Sequence, residues 1–112
     1  MPLTLQDKYI LNYAIYCYGG KYKIENQCLR MWCGPDEFYL RLDDCARFGF
    51  YTLVHRNTCR KKHFHTQAKC NNLHYAIFLA YTHHIGKTNN LPNNTEDYHY
   101  FVSDAMLYKM EE

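Results

Sequence analysis

The choice between helix and strand in this chain depends first on residues 34–42, which read GPDEFYLRL. The Gly-Pro-Asp start is a turn signal, and after it Phe38, Leu40 and Leu42 alternate with polar or charged residues. An apolar residue at every second position is typical of a strand with one buried face. Residues 22–24 alternate in the same way on the other side of the turn. The sequence therefore predicts two half-buried strands around this turn.

Apolar residues at helical spacing predict helices on both sides of this strand pair. Thr4 can cap a first helix that ends at the glycine pair 19–20, and an asparagine pair precedes a helical stripe over 73–86. Thr95 can cap a last helix. A helix over 45–55 is predicted after two aspartates, although its aromatic residues favour a strand nearly as well. The expected fold class is α+β, a mostly helical small single domain with a short two-stranded β element.

Length and composition are those of one folded domain. The chain has 112 residues, of which 47% are hydrophobic, and a formal net charge of +2. These values exclude disorder, and no global field favours nucleic acid or a membrane. We expect one compact domain over 1–112, in which the polar residues 87–94 connect to the C-terminal helix. The longest apolar run is 76–80, which is far too short to span a membrane.

The chain has six cysteines, and its start lacks the basic and apolar segments of an export signal. Cysteines in such a chain are expected to be free, buried or metal-bound, because the compartment is reducing. We therefore expect a cytoplasmic or nuclear protein. The pairs Cys17/Cys28 and Cys59/Cys70 each enclose ten residues, a spacing similar to the twin cysteine pairs of small mitochondrial helical-hairpin proteins.

A cysteine pair and a histidine pair form the sharpest chemical pattern. Cys28 and Cys33 are separated by four residues, and His63 and His65 by one. Two cysteines in a turn and two histidines on one face of an extended strand can supply the four ligands of a tetrahedral zinc site. The pattern resembles the Cys-x4-Cys and His-x-His ligands of WRKY and FLYWCH-type zinc domains, in which zinc ties a small sheet that docks on DNA. We predict a structural zinc ion here, because four protein ligands leave no position for water. Alternative ligand sets include Cys59, Cys70 or His74.

Two surface features predict a binding partner. Positive charge is concentrated in residues 55–69, and such a stretch can contact phosphates or an acidic partner. The first helix carries more tyrosines than one core face can bury, and exposed tyrosine is enriched at protein interfaces. The predicted partner-binding residues are Arg56, Arg60, Lys61, Lys62, Tyr9, Tyr13 and Tyr16. We expect a protein partner, with a second copy of the chain or nucleic acid bound through 55–69 as alternatives.

A different pattern points to an enzyme. Its segments are YGGK at 18–21, DCARF at 44–48 and HYAIF at 74–78. In this order they resemble the motifs of NlpC-type papain-like cysteine hydrolases. The resemblance implies Cys45 as nucleophile, His74 as base and His83 or His84 as the orienting group. A thiolate in the first turn of a helix is stabilised by the helix dipole, which suits that role.

Together these features favour a non-enzymatic interaction or regulatory module, stabilised by zinc and presenting a tyrosine-rich, locally basic surface. Small chains rich in tyrosine and cysteine are often accessory proteins, for instance of viruses, and we expect that class by association. The cysteine hydrolase is the alternative function.

Overall fold

Along the described part of the chain, one helix precedes three strands, and a short helix, two more strands and two helices follow. The computed structural model describes residues 3–60, 63–85 and 91–110. The helices are α1 (Leu5–Tyr18), α2 (Asp44–Phe48), α3 (Leu73–Thr82) and α4 (Leu91–Met110), and one turn of 3-10 helix, His83–Ile85, follows α3. The strands are β1 (Lys21–Glu25), β2 (Cys28–Cys33), β3 (Asp36–Arg41), β4 (Tyr51–Asn57) and β5 (His65–Cys70).

The strands form one antiparallel sheet in the order β1-β2-β3-β4-β5, so each strand pairs with its neighbour in sequence. Tight turns make this possible. Asn26 and Gln27 both have positive φ between β1 and β2, which suits a two-residue hairpin because its twist matches that of the strands. Gly34 has positive φ in the next hairpin. The pairing of β4 with β5 is irregular between Leu53 and Val54.

Alternation along the strands divides the sheet into an inner face, covered by helices, and an outer face. Leu29, Met31 and Cys33 of β2 are buried on the inner face, and Phe38 and Leu40 of β3 continue it. Helix α3 packs against β2, β4 and β5, and α1 and α4 pack against α3 and against each other. The intervening strand residues point to the outer face, and none of them belongs to the buried hydrophobic core.

Local signals fix the helix starts. The Thr4 hydroxyl accepts from the backbone N–H of Asp7 at 3.1 Å, and the Asp7 carboxylate accepts from the N–H of Thr4 at 2.9 Å. Asn72 caps α3 by accepting from two backbone N–H groups of its first turn. Helix α4 begins at Leu91, earlier than the predicted cap Thr95. The end of the expected connector is therefore helical, and the rest of it lies outside the described residues.

The fold class is confirmed in its coarse form and corrected in its strand content. The chain is a single compact α+β domain with a radius of gyration of 13.3 Å, close to the value of about 13 Å for a folded chain of this length. The prediction of a two-stranded element is wrong, because the described residues form a five-stranded sheet. Residues 28–33, interpreted from the sequence as a metal-binding turn, form strand β2, which pairs with β1 on one side and β3 on the other. The helix predicted over 45–55 ends at Gly49, whose φ of +83° is left-handed, and aromatic and β-branched residues then form β4.

The cysteines carry no disulfides. The free thiols are Cys33 and Cys70, which are buried, Cys28 and Cys45, which are half-buried, and Cys17 and Cys59, which are exposed. The expectation of free thiols is thus confirmed. Among the described helices, none combines the length and the apolar character that crossing a membrane would require.

Candidate metal centre

One end of the inner face gathers a carboxylate and several imidazoles. Asp36 begins β3, His55 lies near the end of β4 and His83 follows α3. One potential ligand atom from each of the three lies within 4.8 Å of the other two. Asp36 and His55 are each 5% exposed, and His83 is half-buried. Two imidazoles and a carboxylate are a ligand set used for zinc and for iron, so these residues form a candidate metal site.

The sheet register brings two of these side chains together. Asp36 pairs with Asn57, and Phe38 pairs with His55, so Asp36 and His55 are diagonal neighbours on the inner face. His55 Nε2 lies 2.8 Å from Asp36 Oδ1, and Asn57 Nδ2 donates to the same oxygen at 3.2 Å. His83 reaches them because α3 packs across the sheet, and its ring centroid lies 4.4 Å from that of His55.

The surroundings of His83 favour its neutral form. Burial lowers its pKa below the ordinary value, and the charge of His55 lowers it further, whereas Asp36 acts in the opposite direction. His65 and His84 add to the lowering. A neutral imidazole keeps the lone pair that a metal ion needs. A neutral His83 beside His55 and Asp36 is therefore compatible with a role as a metal ligand.

A second layer of groups orients the candidate ligands. His65 Nε2 lies 3.3 Å from His55 Nδ1 and 3.1 Å from Gln67 Oε1. A metal-binding histidine commonly donates its other ring N–H to such a partner, which fixes the ring. A cavity of about 200 Å³ beside the group is lined by Asp36, His55, Asn57, Arg60, His65 and His83. The site thus offers three protein ligands and space for one more.

The structure does not bring the four predicted zinc ligands together. Cys28 and Cys33 occupy the two ends of β2, and because they are five positions apart their side chains point to opposite faces of the sheet. Cys33 is buried, and its Sγ lies 3.3 Å from His84 Nδ1. His63 is exposed in the segment before β5. His65 borders the candidate metal site, whereas Cys28 faces the other side of the sheet.

The predicted catalytic histidines lie at the two ends of α3, whereas the predicted nucleophile Cys45 lies in α2. His74 is in the first turn of α3, where its Nε2 is 2.7 Å from Asp7 Oδ1. His84 follows its last turn and contacts Cys33 instead. Across the described residues, no hydrogen bond joins Cys45 to either histidine. Burial raises the pKa of Cys33, so the cysteine–histidine pair that does form holds a thiol rather than a thiolate.

The basic residues predicted to bind a partner do not form one surface in the described part of the chain. Arg56 lies on the outer face of β4, where it pairs with Glu37. Arg60 lines the cavity beside the candidate metal site. Lys61 and Lys62 lie outside the described residues.

The predicted tyrosine surface is largely a seam between two helices. Tyr13 packs against Phe101 and Tyr108 of α4, with ring centroids 5.5 Å and 5.3 Å apart. Tyr16 stacks on Tyr108 at 4.9 Å, although it is 70% exposed. Tyr9 is half-buried on the same helix. Much of the tyrosine excess therefore joins α1 to α4.

Asp36 and His55 were not predicted as ligands from the sequence. Both stand at inward positions of strands, where an apolar residue is the norm, and a buried polar residue there is the signal that could have singled them out. No family model, no curated protein and no solved structure matches this chain. Its function therefore has to be inferred from the chemistry of its own residues.

Proposed function

We propose that the protein is a non-enzymatic interaction module in which a zinc ion, bound by Asp36, His55 and His83, ties one end of the sheet to the helical layer. The convergence of these side chains within 4.8 Å carries the proposal. They come from β3, β4 and the turn after α3, so one ion would cross-link three elements that are distant in sequence. Because the unfolded chain has no such site, the free energy of metal binding would add to the free energy of folding.

Zinc fits the chemistry of these donors. It accepts imidazole nitrogen and carboxylate oxygen at about 2.0–2.2 Å in tetrahedral sites. Its binding would displace the proton shared by His55 Nε2 and Asp36 Oδ1, which are 2.8 Å apart. The other ring nitrogen of His55 would stay in contact with His65, and Asn57 would continue to hold the carboxylate.

Titration of metal-free protein with zinc tests this site, with masses measured under native and denaturing conditions. We expect one zinc ion per chain that is lost on denaturation. Free zinc at 100 times its dissociation constant should stabilise the fold by about 2.7 kcal/mol. Asp36→Asn and His83→Gln should each abolish that gain, whereas the matched changes Asp97→Asn and His99→Gln, at exposed positions of α4, should keep it. Unchanged zinc affinity in Asp36→Asn would contradict the proposal.

Cobalt(II) in place of zinc distinguishes this ligand set from the cysteine-containing set predicted from the sequence. A thiolate ligand gives cobalt an intense near-ultraviolet charge-transfer band, which imidazole and carboxylate do not. We expect no such band in the wild-type protein. A band that disappears in Cys33→Ser would instead support a site that includes Cys33.

The three-ligand arrangement also favours a second candidate function, metal-assisted hydrolysis. A metal held by three protein ligands keeps a position for water, and the adjacent cavity of about 200 Å³ would give a substrate access to it. Arg60 lines that cavity and would favour an anionic substrate. Turnover of nitrophenyl esters or phosphodiesters by zinc-loaded protein, lost in Asp36→Asn, would favour this function. Full zinc occupancy without turnover would favour the structural role.

A further inference from the structure

We infer that the outer face of the sheet binds single-stranded nucleic acid. This inference rests on the proposed function, because it identifies the partner of the interaction module. The face consists of the strand residues that alternate with the core positions. Its charged and aromatic members on the strands are Lys21, Lys23, Glu25, Arg30, Trp32, Glu37, Tyr39, Arg41, Arg56 and Lys69.

Positive charge is concentrated on this face. Its strands contribute six basic residues and two carboxylates, a net charge of +4, whereas the whole chain has +2. The remainder of the molecule is therefore net negative. The side chains of Lys23 and Arg41 are each 63% exposed. A local positive field of this kind attracts a polyanion even when the net charge of the protein is small.

The two carboxylates hold the arginines in place. Glu37, whose side chain is 4% exposed, lies beneath Arg30 and Arg56 and accepts from each at 2.9 Å. Although burial acts to raise it, these hydrogen bonds hold the pKa of Glu37 below its ordinary value. Arg30 also donates to Glu25 at 3.1 Å. The guanidinium groups are thus fixed on the surface before any ligand arrives, which reduces the entropy lost on binding.

Aromatic rings alternate with these cations. The Arg30 guanidinium lies 4.7 Å from the centre of the Trp32 ring and 4.8 Å from that of Tyr39. Phe64, from the segment before β5, lies 4.5 Å from the Arg56 guanidinium and 4.8 Å from the Tyr39 ring. Nucleic-acid bases stack on aromatic rings and on guanidinium planes. The face therefore offers stacking platforms beside phosphate-binding charges.

A single strand fits this face better than a duplex does. Stacking on Trp32, Tyr39 or Phe64 requires bases with free faces, which a duplex hides. The five strands, spaced about 4.8 Å apart, make a platform roughly 19 Å wide. An acidic protein would match the charge, but it would leave the rings without a stacking partner.

Fluorescence anisotropy with a labelled oligothymidylate of about 20 nucleotides tests the inference on the full chain. In low salt, Lys23→Glu and Arg41→Glu should each weaken binding at least about fivefold, and each should flatten the dependence of log K on log salt by about 0.7. Lys8→Glu on α1, an equal charge reversal at an exposed site of the helical layer, should change the affinity less than about twofold. Phe64→Leu, at a position 38% exposed, should weaken binding by about fivefold or more through lost stacking.

Three results would overturn the inference. The first is an equal loss of oligonucleotide affinity in Lys8→Glu and Lys23→Glu. The second is an affinity for a duplex of the same length that equals the affinity for the single strand. The third is displacement of the oligonucleotide by polyglutamate at an equal concentration of charge. Zinc content measured on the same samples separates this inference from the proposed function. One zinc ion per chain with no oligonucleotide binding overturns the inference alone. Oligonucleotide binding by folded protein that takes up no zinc supports the inference and overturns the metal site.

Discussion

Gly20, between α1 and β1, should tolerate no side chain. Its φ is +99°, and a Cβ built there would lie closer than 3.0 Å to the carbonyl oxygen of Trp32 and 3.2 Å from Cε1 of Tyr81. The carbonyl belongs to the backbone of β2, so β1 or β2 would have to move. A positive φ costs a side chain roughly 1–2 kcal/mol, and forced displacement in a packed region costs about 1–3 kcal/mol more. We expect Gly20→Ala to lower the free energy of unfolding by about 2–5 kcal/mol.

Gly49 provides the matched control, because its φ of +83° is also left-handed but a Cβ there would meet no atom within 4 Å. Gly49→Ala should therefore cost only the backbone strain of roughly 1–2 kcal/mol. Urea denaturation of both variants and the wild type, followed by circular dichroism, gives the two losses at an unchanged m value. A Gly20→Ala loss no larger than that of Gly49→Ala would refute the reasoning about the Trp32 carbonyl.

Three further predictions concern a helix cap and the buried thiols. Thr4→Ala removes the side chain that closes the capping box of α1 and should cost about 1 kcal/mol in urea denaturation; Asn12→Ala, at an exposed site of the same helix, should not. A thiol reagent at pH 8 should label Cys17 and Cys59, which are exposed, well before Cys70, which is 3% exposed; mass spectrometry of labelled peptides would show the order, and early labelling of Cys70 would contradict its burial. Burial raises the pKa of Cys70 to about 11, whereas the same thiol in the unfolded chain has the ordinary value of 9.0. The unfolded chain therefore loses this proton at lower pH than the folded protein does. The contribution of the protonated thiol to the stability of the fold is complete below pH 9.0 and should be lost as the pH rises through about 11. Cys70→Ala should reduce that alkaline loss in denaturation measured at increasing pH, and an identical profile would count against it.

The elements predicted well are those whose signals are local. Thr4 and Asn72 cap helices through groups no more than three residues away, and the alternation of Phe38 and Leu40 is contained within one strand. The strand β2 was missed although its burial alternates as regularly as any. Its outward positions carry Arg30 and Trp32, and the cysteines at its two ends suggested a turn around a metal ion.

The candidate metal site could not be predicted from spacing. Asp36 and His55 are 19 positions apart, and no motif relates them to each other or to His83. Asp36 and His55 lie together because the register of β3 with β4 places both on the inner face. His83 joins them because it follows α3, which packs across the sheet. Such long-range placement follows from the assembled fold, which local propensity does not encode.

The same register places two chemistries back to back on β3 and β4. Asp36 and His55 face the helices, while their chain neighbours Glu37 and Arg56 pair directly on the outer face. A slip of one residue between two strands exchanges the faces of the slipped strand. The contact between Asp36 and His55 on the inner face and the ion pair between Glu37 and Arg56 on the outer face therefore each disfavour a shifted register of β3 and β4. A metal ion across Asp36 and His55 would therefore stabilise the same register that pairs Glu37 with Arg56. Zinc should accordingly slow amide hydrogen exchange in β3 and β4 of the wild type but not in those of Asp36→Asn. Equal exchange rates with and without bound zinc would contradict the argument that a metal ion on the inner face stabilises the register of the outer face.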